Sequence, residues 1–239
     1  MTPRARRHSA IRARDVLSAA AYAGRRQWQR VLGVALVVFG LTTLLETLAD
    51  NFGHEWSVGW VVAIDVLAFG ADLFGEVFYV GLLDRLVGTA VHGHAPQSVP
   101  TVLRTLRYGP LILAAVLAAA LAILGLFVLI VPGVVLFTLL CLSGPILNIE
   151  GLSAVRALRR SAQLVRRRFW LTFVMVTVPF FVADWVTTSV QDAAHGLPLA
   201  ADFVIHAVVA TAIAIVTGLV QVELAHSFIE ADHERRAGS

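Results

Sequence analysis

Apolar residues run in six long stretches along this chain, separated by short polar segments. A helix needs about 20 apolar residues to cross about 30 Å of hydrocarbon. The stretches cover 31–49, 58–83, 109–130, 134–149, 169–190 and 201–228. A backbone in lipid must satisfy its own hydrogen bonds, so each stretch reads as a helix. The pattern predicts an all-α fold, a polytopic membrane helical bundle with six transmembrane helices over 31–228. A basic arm, 1–30, precedes the bundle and a short tail, 229–239, follows it. Pro132-Gly133 predicts a tight turn between the third and fourth spans, and Pro179 a kink in the fifth. The first apolar run exceeds the 7–15-residue core typical of a signal peptide, so it reads as an uncleaved span.

The polar segments carry a second periodicity. In 98–108, Val99, Val102, Leu103 and Leu106 recur at helical spacing, with Ser98 as N-cap and Pro100 in the first turn. In 151–168, Val155, Leu158, Ala162, Val165 and Phe169 form one stripe, and the arginines lie largely on the other side. Residues Asp15 to Arg30 repeat the pattern weakly. These segments predict amphipathic interfacial helices, lying apolar face down among headgroups on the cytoplasmic side.

Charge orients the bundle. The chain has no lysine; its 19 basic residues are all arginine. They occupy the N-terminal arm, the segments around Arg85, Arg104 and Arg107, the run Arg156, Arg159, Arg160, Arg166, Arg167 and Arg168, and finally Arg235 and Arg236. Each of these segments falls on the same side of a six-span map. Basic residues beside a span resist translocation, which places both termini in the cytoplasm. The tryptophans agree, with Trp28 and Trp170 at the inner boundary and Trp56, Trp60 and Trp185 at the outer one.

Composition narrows the function classes. Apolar residues make up 58% of the chain and charged residues 15%, against about half and a quarter in soluble domains. Mean hydropathy is +0.78 and the pI is about 9.7. The expected location is a bacterial cytoplasmic (inner) membrane, and the expected partner is the anionic phospholipid of its cytoplasmic leaflet. The arginines expected to meet headgroups are Arg104, Arg107, Arg156, Arg159, Arg160, Arg166, Arg167 and Arg168. Other membrane proteins, or a second copy of the chain, are further partners of a bundle of this kind. Nucleic acid is not expected, because no soluble fold remains to carry a docking element. A single cysteine, Cys141, excludes an intrachain disulfide and a thiolate metal cluster.

The stretch 132–170 reads Pro132-Gly133, an apolar span containing Pro145, Glu150-Gly151, Ala157-Leu158-Arg159-Arg160-Ser161, then Phe169-Trp170. It resembles the glycerophosphoryl-diester phosphodiesterase membrane-domain family and the related YciC-like bacterial inner-membrane proteins. Those families similarly show a Pro-Gly at the start of a span, a Glu at its cytoplasmic end, an Ala-Leu-x-x-Ser helix and an aromatic re-entry. The resemblance implies a six-helix membrane module, with Pro132, Gly133, Glu150, Gly151 and Ser161 as its motif positions. Some relatives carry a fused phosphodiesterase domain, but this chain has no soluble stretch long enough for one and no catalytic motif. The expectation is a non-enzymatic module that organises lipids or partner membrane proteins, with no cofactor and no metal.

One further feature could carry chemistry. Asp65, Asp72 and Glu76 in the second span fall within about 40° of one another at 100° per residue. Each intramembrane acid costs roughly 2.5–3.5 kcal/mol on insertion scales and marks a functional site by default. The stripe reads either as a proton or cation path, which would make the chain a small transporter or channel, or as interhelical contacts. His92-x-His94, Glu223-x-x-His226 and Glu230-x-x-His233 have metal-ligand spacing but lack the further ligands a site needs.

Overall fold

The computed structural model describes residues 13–52, 58–88, 99–194 and 199–238. Among them the chain is all-helical, without strands. Helix α1 is Ala13–Phe52 and α2 is Val58–Leu83, the latter ending in a π-helical turn, Asp84–Gly88. Then come α3 (Val99–Thr105), α4 (Tyr108–Val128), α5 (Ile130–Leu140), α6 (Ser143–Glu150) and α7 (Ala154–Arg166). Helix α8 runs through Phe169–Thr172, a π-helical turn at Phe173–Thr177, and Val178–Ala194; α9 is Leu199–Ala237.

Prolines set many of these boundaries. Pro100, Pro110, Pro132 and Pro145 each lie in the first turn of α3, α4, α5 and α6. There the missing N–H has no intrahelical partner to lose, and the fixed φ suits the helix. Pro179 lies inside α8, where its ring would clash with the carbonyl four residues back. The π-helical turn at Phe173–Thr177, which holds that carbonyl, absorbs the conflict.

Several sequence expectations are corrected. The turn between α4 and α5 is made at Leu129, which is extended (φ −168°, ψ 145°), and Pro132-Gly133 lies inside α5. Gly133 is used for packing instead: its backbone crosses Gly125 of α4 so closely that a Cβ on Gly125 would sit 2.7 Å from the Gly133 Cα. The stretch 134–149 is two helices, because Pro145 and the preceding Cys141-Leu142 break it. The arm and tail are not separate from their spans. Helix α1 begins at Ala13 and α9 continues to Ala237 without interruption.

Among the described residues, three segments are long and apolar enough to cross a membrane: Tyr108–Gly125, Ile130–Glu150 and Phe203–Ala237. Shorter apolar helical segments lie at Trp28–Gly40 and Phe169–Ala183. Leu124, Phe127, Leu129, Ile130 and Val131 stand exposed together around the α4–α5 turn. An aqueous surface rarely exposes so continuous a patch, whereas lipid tails suit it. Helix α9 has 39 residues, about 58 Å at 1.5 Å each, so one end must project beyond a hydrocarbon core of about 30 Å.

Helix α2 packs against α1, α4, α6 and α9, while α1 and α9 run alongside each other and α8 packs on α9. The core formed there holds Phe39 of α1, Tyr79, Leu83 and Leu86 from α2, Leu142 and Ile146 near α6, and Leu224 and Phe228 of α9. Phe39 and Tyr79 meet edge to face, with ring centroids 5.2 Å apart. Polar side chains join other pairs: the Thr138 and Thr177 hydroxyls, 2.8 Å apart, link α5 to α8.

Candidate functional site

Helix α7 organises the arginine-rich end. Its stripe is folded onto protein: Ala154, Ala157, Leu158, Ser161, Leu164 and Val165 are buried against α4, α5 and α6. The expected lipid contact of that face is thus replaced by contact with the bundle, although Val155 remains half exposed. The amphipathic period cannot say which apolar medium covers the stripe. The opposite side carries Arg156, Arg159 and Arg166, all exposed.

The expected headgroup arginines divide by what they touch. Arg160, with only 12% of its side chain exposed, bridges Glu150 at 2.9 Å and Asp232 at 2.8 Å. Burial alone would lower the Arg160 pKa, but its hydrogen bonds to these two carboxylates raise it above the ordinary arginine value. Arg167 reaches Asp232 at 3.5 Å and Arg236 does so at 3.1 Å. The Arg168 guanidinium lies over the Phe228 ring, 5.3 Å from its centroid. Burial, with Arg235 nearby, pulls its pKa below the ordinary arginine value. Arg107 donates to the Gly151 carbonyl at 2.9 Å, and Arg104 is exposed on α3. Arg156 donates from Nε to the Ser153 hydroxyl at 3.1 Å. Arg159 and Arg166 make no hydrogen bond or ion pair among the described residues.

Between α6, α7 and the last turns of α9 lies an open groove of about 670 Å³. Arg156, Arg159, Arg160 and Arg236 form its cationic lining, with His233 beside them and Glu150 as the acid. Ile149, Leu152 and Ile229 form an apolar side. Sequence reasoning missed Asp232, which anchors the groove's far wall. The one signal for it was an acid four residues before Arg236, within a tail otherwise read as solvated.

The motif positions are structural joints. Glu150 holds Arg160. Gly151 ends α6 in the left-handed conformation (φ 65°), which glycine adopts without a Cβ penalty. The buried Ser161 hydroxyl donates to the Leu139 carbonyl at 2.7 Å, pinning α7 to α5.

The acidic stripe is placed in part. Asp65 and Asp72 lie in α2, but their side chains fall outside the described residues, as do His92 and His94 altogether. Glu76 is buried at the α2–α9 interface, where the Gln221 amide donates to its carboxylate. Eight residues on, Asp84 meets His226 of α9 at 2.9 Å. His226 of the Glu223-x-x-His226 motif is thus engaged by an acid of α2. We expect Glu76→Gln, which keeps an acceptor for Gln221, to leave the thermal midpoint in detergent nearly unchanged. Glu76→Leu should cost about 1–3 kcal/mol by stranding that amide. Equal losses for both variants would mean that the charge, and not the hydrogen bond, matters.

Compared with known proteins, the chain matches no family model, no curated protein and no solved structure.

Proposed function

We propose that this chain is a non-enzymatic, six-span inner-membrane module whose arginine-rich, cytoplasmic face holds anionic phospholipids. Through that lipid, or through its apolar flanks, it organises neighbouring membrane proteins. One observation carries the reading. Helix α7 spends its apolar side on the bundle and so turns Arg156, Arg159 and Arg166 outward. Arginines held in this way add about 1 kcal/mol each against an anionic surface. The arginine-free apolar patch around Leu129 supports the same orientation, with that turn on the opposite side. The likeness of 132–170 to the phosphodiesterase membrane-domain family accords with a module of this kind. The transporter alternative is less well supported, because Glu76 is spent on a contact between helices.

The test is native mass spectrometry of the protein released gently from its own membrane. The triple variant Arg156→Gln, Arg159→Gln, Arg166→Gln should lose about 3 kcal/mol of attraction, on the order of a hundredfold in anionic-lipid retention. Undiminished retention would overturn the reading. A reporter fused after Ser239 that reads from outside the cytoplasm would overturn the topology.

A further inference from the structure

We propose that the groove between α7 and the end of α9 is a discrete site for one phosphate ester, carried either by a lipid headgroup or by a small soluble molecule. For the lipid source alone, this rests on the reading of that face as cytoplasmic.

The groove differs from a diffuse basic belt in three ways. First, its cations outnumber its acids. Four lining arginines face a single lining carboxylate, Glu150, leaving a net +3 among these five side chains. Asp232 behind the wall offsets one more, and the concavity still attracts an anion. Second, part of the wall is rigid. Arg160 is clamped between Glu150 and Asp232, and the Arg236 Nε is held by the same aspartate at 3.1 Å. Cations fixed before the ligand arrives lose little side-chain entropy on binding. On the same helix as Arg160, Arg159 makes no hydrogen bond or ion pair among the described residues, and Arg156 is tethered only through Nε, by the Ser153 hydroxyl, which leaves terminal guanidinium N–H groups for a ligand. Third, the donors come from two helices and approach a common volume from different sides. A tetrahedral phosphate offers oxygens in several directions at once, whereas a carboxylate offers two in one plane.

The size and remaining wall fit the assignment. A volume of about 670 Å³ lies within the 300–1,000 Å³ range of small-ligand sites. Ile149, Leu152 and Ile229 supply apolar surface beside the cationic rim, which suits the glycerol and first acyl carbons of a phospholipid.

The experiment uses the full chain in uncharged detergent, with dihexanoyl phosphatidic acid and glycerol 3-phosphate as separate probes and acetate as the carboxylate control. Binding is read by native mass spectrometry and by the shift in thermal midpoint. The expected result is one saturable equivalent of phosphate probe. Arg159→Gln should weaken it about tenfold, and Arg156→Gln with Arg159→Gln about a hundredfold, following the loss of one charge-assisted hydrogen bond each. Arg25→Gln, exposed on α1 and not among the groove's lining residues, should leave binding unchanged. Binding of the lipid probe alone assigns the site to headgroups; binding of both assigns it to phosphate esters generally. Absence of saturable binding, equal binding of acetate, or an equal loss in Arg25→Gln would overturn the proposal. Loss of native lipid in the triple variant without a saturable groove would leave the lipid-belt reading standing and remove only this one.

Discussion

Asp232→Ala should destabilise the protein by about 1–3 kcal/mol and release the last turns of α9. Its carboxylate is buried and sits among three guanidinium groups, with Arg160 at 2.8 Å, Arg236 at 3.1 Å and Arg167 at 3.5 Å. Removing Asp232 takes one of two carboxylates from the Arg160 guanidinium, while the largely exposed Arg167 and Arg236 turn to water, so the cost stays below that of stranding a buried charge altogether. Arg160, already 12% exposed on its side chain, would keep only Glu150. The measurement is thermal unfolding in detergent together with limited proteolysis, where new cleavage should fall near Asp232. Arg160→Ala should cost a similar amount. The double variant should fall short of the sum by about 0.5–3 kcal/mol, because both changes break the same contact. An additive pair would mean that the two residues act separately.

The same network has a defined pH window. Burial alone would raise the Asp232 pKa, but the Arg160 hydrogen bond and the charges of Arg160, Arg236 and Arg167 hold it below the ordinary carboxylate value. A depressed carboxyl contributes stability that is present above its unfolded pKa of about 3.9 and is lost as pH falls through the folded value. From about pH 5 upward this contribution should therefore be constant. Acidification below about pH 4 should remove it from the native protein, while Asp232→Asn should lack that component of acid sensitivity. The raised pKa of Arg160 has the opposite sign, and its contribution would be lost only at strongly alkaline pH.

Gly144→Ala should be nearly as damaging, through packing alone. A Cβ at Gly144 would lie 2.5 Å from the Val77 carbonyl oxygen and 3.2 Å from the Gly81 nitrogen. Both obstacles are backbone atoms of α2, so no rotamer change relieves them. Helix α6 would have to back away, and the 2.5 Å bond from the Asn148 amide to the Gly81 carbonyl would break with it. Overpacking of this kind costs typically 1–3 kcal/mol and more where the backbone must move; the lost buried hydrogen bond adds to it. Gly33→Ala is the control. Nothing lies within 4 Å of its Cβ position, and alanine there should be neutral or should stabilise α1 by up to about 1 kcal/mol. Unfolding midpoints that fall equally for both variants would exclude the α2–α6 contact as the cause.

Much of the fold was legible along the chain because the physics behind it is local. Transfer free energy is summed residue by residue, so 58% apolar composition and long uncharged stretches indicate helices suited to lipid whatever they pack against. Proline acts on its own turn, and four of the eight prolines stand in the first turn of a helix. The break before α6 was therefore written at Pro145, although the hydropathy of 134–149 hid it. The uneven placement of arginine was equally visible, since counting charges requires no partner.

The site was legible only as a list of candidates. The sequence by itself determined that α7 has an apolar stripe and a basic side; only the tertiary structure decided that the bundle covers the stripe. It also decided which arginines are engaged by carboxylates and which make no ion pair among the described residues. The physical reason is distance along the chain. Gln221 meets Glu76 across 145 positions and Arg167 meets Asp232 across 65, and no periodicity extends that far. An ion pair depends on two side chains meeting in space, and the fold alone brings Asp232 to Arg160.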